Sequence, residues 1–442
     1  MTLNMTRGKP ASLLLKFAFP LMLSSLLQQL YTLCDSVIVG RLLGTVAFTA
    51  TGSASYLNWF PLGMLLGAIN GFGVTLSQRY GARKQEEFRH FFGCAMMISL
   101  LLGLFFSLFG SAFADNLLAA LNTPVELMDL AARYVRMVWM GFGITALMNI
   151  LNTAMMAMGD SRTPLIALAV SSFVNIVLDL VFISWLHWDV EGAALATVLA
   201  QAAAAIPGYL TLRRSEIGLP RARHFRPRKY IVKELFRLGF PQMLSFGVIS
   251  SGELMVQAAI NSCGVVFVTG MTASRRYFNL TNIIGGGLEG AVVTYVGQNY
   301  GAHRFDRIRQ GTRTAVTMGL CASLLTGLAV FLFAEPMIRF FIPDGAAASI
   351  QIGTEALRVQ AVFLAFLYLL CEHRAAIQGM GNAIIPMLSG FLELAVRIGA
   401  TLLLPLWIGQ KGLYFTDAAA WVPTMLMLTV CYHVCKNKLP AK

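Results

Sequence analysis

Twelve long apolar runs, with few charges inside them, follow one another along this chain. They lie near residues 12–38, 50–76, 91–114, 131–156, 164–187, 192–212, 236–262, 275–297, 312–334, 354–378, 384–407 and 414–435. About 20 apolar residues cross the hydrocarbon core of a bilayer as a helix, and a helix satisfies its own backbone where no water can. The runs therefore predict an all-α integral membrane protein with twelve transmembrane helices. Composition agrees: 12% of the 442 residues are charged, where a soluble domain carries about 25%, and the mean hydropathy is +0.66. Disordered chains, nucleic-acid binders built on basic loops and ordinary cytosolic enzymes are excluded. Pro20, Pro61, Pro207 and Pro241 sit inside or at the ends of runs and are expected kinks. The first run shows no signal-peptide cleavage pattern and reads as a retained span.

The net charge of +13 is explained by where the basic residues sit. Alternate connections hold 24 of the 34 Lys and Arg, nine of them between Arg213 and Arg237. That asymmetry orients both termini toward the cytoplasm. The 213–237 segment reads as a positive-inside connection, with a nucleic-acid or anionic-lipid patch as the sharper alternative. The seven cysteines lie in or beside apolar runs without metal-ligand spacing, and read as small buried hydrophobes.

The chain also repeats itself. Phe19-Pro20-Leu21-Met22-Leu23-Ser24 recurs as Phe240-Pro241-Gln242-Met243-Leu244-Ser245. Gln78-Arg79-Tyr80-Gly81-Ala82 recurs as Gln298-Asn299-Tyr300-Gly301-Ala302, and Met158-Gly159-Asp160 as Met380-Gly381-Asn382. The offsets are 220 to 222 residues. The expected organisation is an N-terminal lobe of six spans (1–212), a cytoplasmic linker (213–235) and a C-terminal lobe of six spans (236–442). Six is even, so the lobes form a parallel internal repeat, an architecture of secondary transporters.

Together with Asp35-Ser36-Val37-Ile38-Val39-Gly40, Ala157 to Pro164, Asn175-Ile176-Val177-Leu178-Asp179 and Gly192 to Thr197, these pieces resemble the multidrug and toxic compound extrusion (MATE) family. The resemblance covers roughly residues 11–435 and is to the DinF-like rather than the NorM-like branch. It implies a two-lobed antiporter working by alternating access. Such a protein expels lipophilic or cationic drugs or toxic metabolites in exchange for H⁺ or Na⁺. Two departures stand out: Met156, whose repeat partner is Gln378, occupies a position where many relatives carry Arg, and Glu253 lies further from Pro241 than the acid used in one branch.

An ionised side chain in mid-bilayer costs at least about 2.5 kcal/mol, so an acid there is a functional candidate. Asp35, Asp179, Glu253, Glu289, Glu372 and Glu393 lie inside spans. Asn175 and Asp179 are four apart and share a helix face. The resemblance places them with Asp35 and Thr197 in the N-terminal lobe as the cation-binding and coupling set. Two carboxylates, an amide oxygen and a hydroxyl suit Na⁺, and equally suit a proton held between neighbouring carboxylates. The alternative is a polar knot that only packs helices. Gln28, Glu253, Glu289 and Met155 are candidates for a substrate cavity, though Gln28 could equally join helices and Met155 could equally be packing. Glu393 with Arg397, and Glu372 with Arg374, are candidates for a gate or a structural ion pair.

No nucleophile elbow, P-loop, HExxH or dinucleotide fingerprint is present. The reading is therefore a transporter and not an enzyme, without a cofactor beyond its coupling ion. It is expected in the plasma (inner) membrane as a monomer, with membrane lipids and small molecules as partners and no nucleic acid. The alternatives are a lipid-linked sugar or lipid flippase, which would line its cavity with basic residues, and an integral-membrane enzyme or sensor.

Overall fold

The computed structural model describes residues 3–120, 123–342 and 346–440, apart from the side chains of Ser53, Tyr56 and Ala120. These residues form no strand. The helices are α1 (Pro10–Leu42), α2 (Gly44–Gly81), α3 (Gln85–Ala120), α4 (Val125–Met140), α5 (Phe142–Ala157), α6 (Arg162–Asp179) and α7 (Val190–Arg214). After a connection come α8 (Lys229–Asn261), α9 (Val265–Gly301), α10 (Phe305–Phe341), α11 (Ala347–Gly379), α12 (Ile384–Ile408) and α13 (Thr416–Asn437).

Among the described residues nine helical stretches are long and apolar enough to cross a membrane, or ten with α4 and α5 taken as one bent span. One of the nine, Ile384–Asn437, is 54 residues long, about 80 Å as a helix. It holds two spans, α12 and α13, joined by the 3₁₀ turn Gly409–Phe415. α9 is less apolar because it carries Arg275, Arg276, Asn279, Asn282 and Glu289 within its 37 residues. With these counted the spans number twelve. The helices run unbroken through Pro20, Pro61, Pro207 and Pro241. The break falls instead at Gly141, where α4 and α5 meet at 47°.

The chain divides into two compact units: Met1–Asn4 with Phe19–Met243, and Met5–Ala18 with Leu244–Lys442. The first turns of α1 therefore belong to the second unit, and the first turns of α8 to the first. This partition differs from the expected lobes, whose linker extended to residue 235. α8 already begins at Lys229 and packs Ile231 and Leu235 into the first unit's core.

In the first unit, Leu65, Ile69, Phe72, Phe88, Phe91, Phe92 and Ile150 build the main core. A second cluster forms around Trp139 and Phe142. Trp139 packs directly on Gly110 of α3: a Cβ there would stand 1.3 Å from Trp139 Cε3. Gly110→Ala is expected to cost about 1–3 kcal/mol through overpacking. Thermal unfolding in detergent should show a lower midpoint, partly restored by adding Trp139→Leu. An unchanged midpoint for Gly110→Ala would contradict this packing. In the second unit, Val330, Ala334, Ile338 and Leu357 form one core, and Val256, Ile260, Phe267 and Tyr414 another. Outside the cores run bare apolar rows, such as Leu324, Leu325, Leu328 and Leu332 on α10, all exposed. Water would penalise such a surface and lipid tails do not.

The repeated motifs have matching local roles. Gly159 and Gly381 both take φ +85°, a left-handed turn that glycine adopts without a Cβ penalty. The next residue caps the following helix. Asp160 Oδ1 accepts from the backbone N–H of Arg162 (3.0 Å) and Thr163 (3.1 Å). Asn382 Oδ1 accepts from Ile384 and Ile385 N–H, both at 3.1 Å. The other motif anchors a leading segment. Arg79 donates to Glu234 of α8 at 2.6 Å. In the second unit, Gln298 Oε1 accepts the Met5 N–H at 3.1 Å, while Asn299 and Arg307 donate to the Met5 carbonyl at 3.0 and 3.2 Å.

Candidate functional site

The first unit gathers its buried polar groups where α1, α4, α6 and α7 supply one side chain or two each. Asp35 comes from α1, Asn175 and Asp179 from α6, and Thr197 from α7. Asn175 and Asp179 have no exposed surface. The Asn175 amide donates to Thr197 Oγ1 at 3.4 Å, and the Thr197 hydroxyl donates to the Ala193 carbonyl at 3.1 Å. The Asn175 carbonyl oxygen is buried and receives no hydrogen bond. The carboxyls of Asp35 and Asp179 come within hydrogen-bonding reach of each other. Two ionised carboxylates cannot use that approach without a proton or cation between them.

Four buried oxygens here receive no hydrogen bond from the protein: Asp35 Oδ1, Asn175 Oδ1 and both carboxyl oxygens of Asp179. Orphaned buried acceptors are rare, and each needs an explanation. An all-oxygen donor set of this kind suits a hard monovalent cation or a shared proton.

Two tyrosines of the site were not singled out from the sequence. The Tyr31 hydroxyl reaches Thr197, and Tyr31 and Tyr134 both stand in electrostatic reach of Asp35 and Asp179. Tyr31 is four residues before Asp35, on the same face of α1, and that spacing could have identified it. Tyr134 comes from α4 and has no such signal. Directly after Asp179 the α6 backbone widens into a π-helical turn, Leu180–Trp185. Such turns often occur at functional sites.

The other candidates spread over several places. Gln28 is exposed on α1. Met155 is fully buried in the first unit's core, with no surface to line a cavity; its expected place in a substrate cavity is corrected to core packing. In the second unit Glu253 is exposed on α8, and Glu289 is half-buried on α9. Arg275 and Arg276 form no ion pair with either among the described residues, and Arg276 lies over the Phe341 ring at 5.9 Å. Glu372 is fully buried on α11, with both oxygens lacking a hydrogen-bond partner.

Glu393 is held by Arg374 of α11, a close contact, while Arg397 on its own helix stands 3.8 Å away. Arg397 Nε instead meets Asp417 of α13 at 3.1 Å. The expected Glu393–Arg397 pair on one helix is thus present and is joined by shorter pairings across helices, while Glu372 makes no ion pair with Arg374 among the described residues. At i,i+4 the Glu393 and Arg397 side chains share a face, but the neighbouring helices offer shorter contacts.

Residues 20–181 and 241–402 match the MatE family. The probable multidrug resistance protein YpnP of Bacillus subtilis is 27% identical over 414 residues, covering 93% of this chain and 92% of that protein. The multidrug export protein MepA of Staphylococcus haemolyticus is 22% identical over 426 residues, covering 95% and 90%. Among solved structures, a MOP superfamily transporter from Pyrococcus furiosus superposes with a TM-score of 0.91 at 23% identity, over 100% of both chains. A multidrug resistance MATE family transporter in an outward-facing conformation gives 0.91 at 23%, over 99% of each. These likenesses in structure establish a shared fold.

Proposed function

This chain belongs to the MatE family, and we propose that it exports lipophilic or cationic small molecules in exchange for H⁺ or Na⁺. It is a multi-pass membrane transporter and not an enzyme. The coupling cation binds in the first unit, between Asp35 and Asp179, with Asn175 and Thr197 completing the oxygen set. The observation that carries this reading is the group of four buried oxygens without donors, two of them on one carboxyl. Such a group is expensive in a low-dielectric interior unless a positive charge enters it.

The work comes from the gradient. One elementary charge crossing 100 mV supplies about 2.3 kcal/mol. Cation entry draws the Asp35 segment of α1 toward α6. The altered α1 releases the substrate outward, and the protein then turns inward by alternating access. Exposed Glu253 attracts cationic substrates. The protein works as a monomer in the plasma membrane, with both termini in the cytoplasm. A flippase for a pyrophosphate-linked lipid would need free buried cations. Here Arg374 and Arg397 are already engaged by Glu393 and Asp417.

The test is efflux of a fluorescent cationic dye from vesicles, with proton and sodium gradients imposed separately. Export driven by either gradient alone is the expected result and names the coupling ion. Export that ignores both gradients would refute the reading.

A further inference from the structure

We propose that the first turns of α8 bind the headgroup of an anionic phospholipid. Six exposed residues, Lys229, Tyr230, Lys233, Phe236, Arg237 and Phe240, carry the argument. At 3.6 residues per turn they fall within about 120° of the helix circumference. Every one is cationic or aromatic. The opposite face holds Ile231, Leu235 and Leu238, at most 2% exposed, so the helix is fixed in rotation by its own core contacts.

Lys229, Lys233 and Arg237 are spaced four apart and form a row along the helix. None has a carboxylate partner among the described residues. The acid of this segment, Glu234, points away and is taken by Arg79 at 2.6 Å. Beside the cation row stand Phe236, Phe240 and Tyr230, which are 46%, 50% and 51% exposed. From Lys229 to Phe240 the helix rises about 16 Å, roughly from headgroup depth into the acyl region. Along this rise cations and rings alternate, Lys229, Tyr230, Lys233, Phe236, Arg237 and Phe240, so the cations can hold phosphate oxygens while the rings lie among the glycerol and upper acyl carbons.

The start of α8 is also held in place by the preceding connection. Arg89 of α3 donates to the carbonyls of Glu216, at 3.4 Å, and of Ile217. The buried His224 ring meets Glu86 of α3 at 3.1 Å, and its Nδ1 accepts the Arg221 backbone N–H at 2.8 Å. A connection that served only to orient the chain would need positive charge, but neither this ordered seat nor an aromatic row beside the cations.

The test uses the full-length protein in detergent with phosphatidylglycerol, phosphatidylcholine or inorganic phosphate added, and lipid retention read by native mass spectrometry. The Lys229→Gln/Lys233→Gln/Arg237→Gln variant is expected to hold phosphatidylglycerol on the order of 100-fold more weakly, with phosphatidylcholine retention unchanged. A charge-matched control, Arg213→Gln/Arg214→Gln/Arg226→Gln, is expected to bind like the wild type. Both variants should still export dye, which shows that they fold. Equal weakening by the control, undiminished binding by the α8 variant, or displacement of the lipid by millimolar phosphate would each overturn the proposal.

Discussion

Asp35→Asn and Asp179→Asn should each lower gradient-driven dye export at least tenfold, to about the level of cells lacking the protein, without unfolding it. Asparagine keeps the shape of aspartate and removes its charge. What is lost is the pair of carboxyls that a cation or proton can bridge. The stability expectation is the opposite of that for an ordinary buried acid. An aspartate held by an arginine would leave an unpaired charge behind on substitution. Asp35 and Asp179 face each other, and three of their four oxygens lack a donor. Removing one charge relieves repulsion in a low-dielectric interior. Both variants should therefore melt no lower than the wild type in detergent. Wild-type-like export by both would refute the coupling role, and a large drop in melting temperature would mean that the cluster is packing.

Arg374→Ala is expected to have the largest effect on stability. The Arg374 and Glu393 side chains are 15% and 6% exposed, and they contact each other across α11 and α12. Removing one partner of a buried pair costs about 3–5 kcal/mol because the remaining charge is stranded. Arg397, 3.8 Å away, compensates only in part because it is engaged by Asp417. Adding Glu393→Gln to Arg374→Ala should recover much of the loss, and the double-mutant cycle would give a coupling energy of several kcal/mol. By contrast, breaking the exposed Arg339–Glu335 pair on α10 should cost only about 0.3–0.5 kcal/mol. Thermal unfolding of the wild type, the three variants of the cycle and Arg339→Ala distinguishes the two cases. If Arg374→Ala and Arg339→Ala proved equally mild, the second unit's charges would not form a buried network.

The sequence contained the number of spans, because the hydrocarbon core demands a fixed length of apolar chain whatever the packing. It also contained the repeat, although not what the repeated residues do. Gly159 and Gly381 announce a turn, but that Asp160 and Asn382 close it by capping the next helix is a matter of a few tenths of an ångström. Bends were harder to foresee. Proline marks a place where a helix can bend, and α1, α2, α7 and α8 continue as helices through theirs, while the interruption at Gly141 carries no proline to announce it. The cation site was legible where its residues share a helix: Asn175 and Asp179 announce each other at four residues' spacing. Tyr134 comes from another helix, and the π-helical turn after Asp179 is a backbone choice that composition does not encode. The same limit applied to the second unit's charges. Spacing along one helix announced Glu393 with Arg397, but the closer partners from α11 and α13 come only from the tertiary fold.

The exchange of leading helical turns between the units bears on how the protein is made. The Met5 backbone N–H donates to Gln298, made 293 residues later. The first unit likewise needs residues up to Met243. Contacts of such long sequence separation form late and slowly. The first turns of α1 must wait in the bilayer, lacking their final neighbours, through most of synthesis. A chain severed in the 215–228 connection would leave each fragment without a piece that its own core requires. The first unit has all its residues once Met243 is made, whereas the second must keep Met5–Ala18 available until its own helices follow.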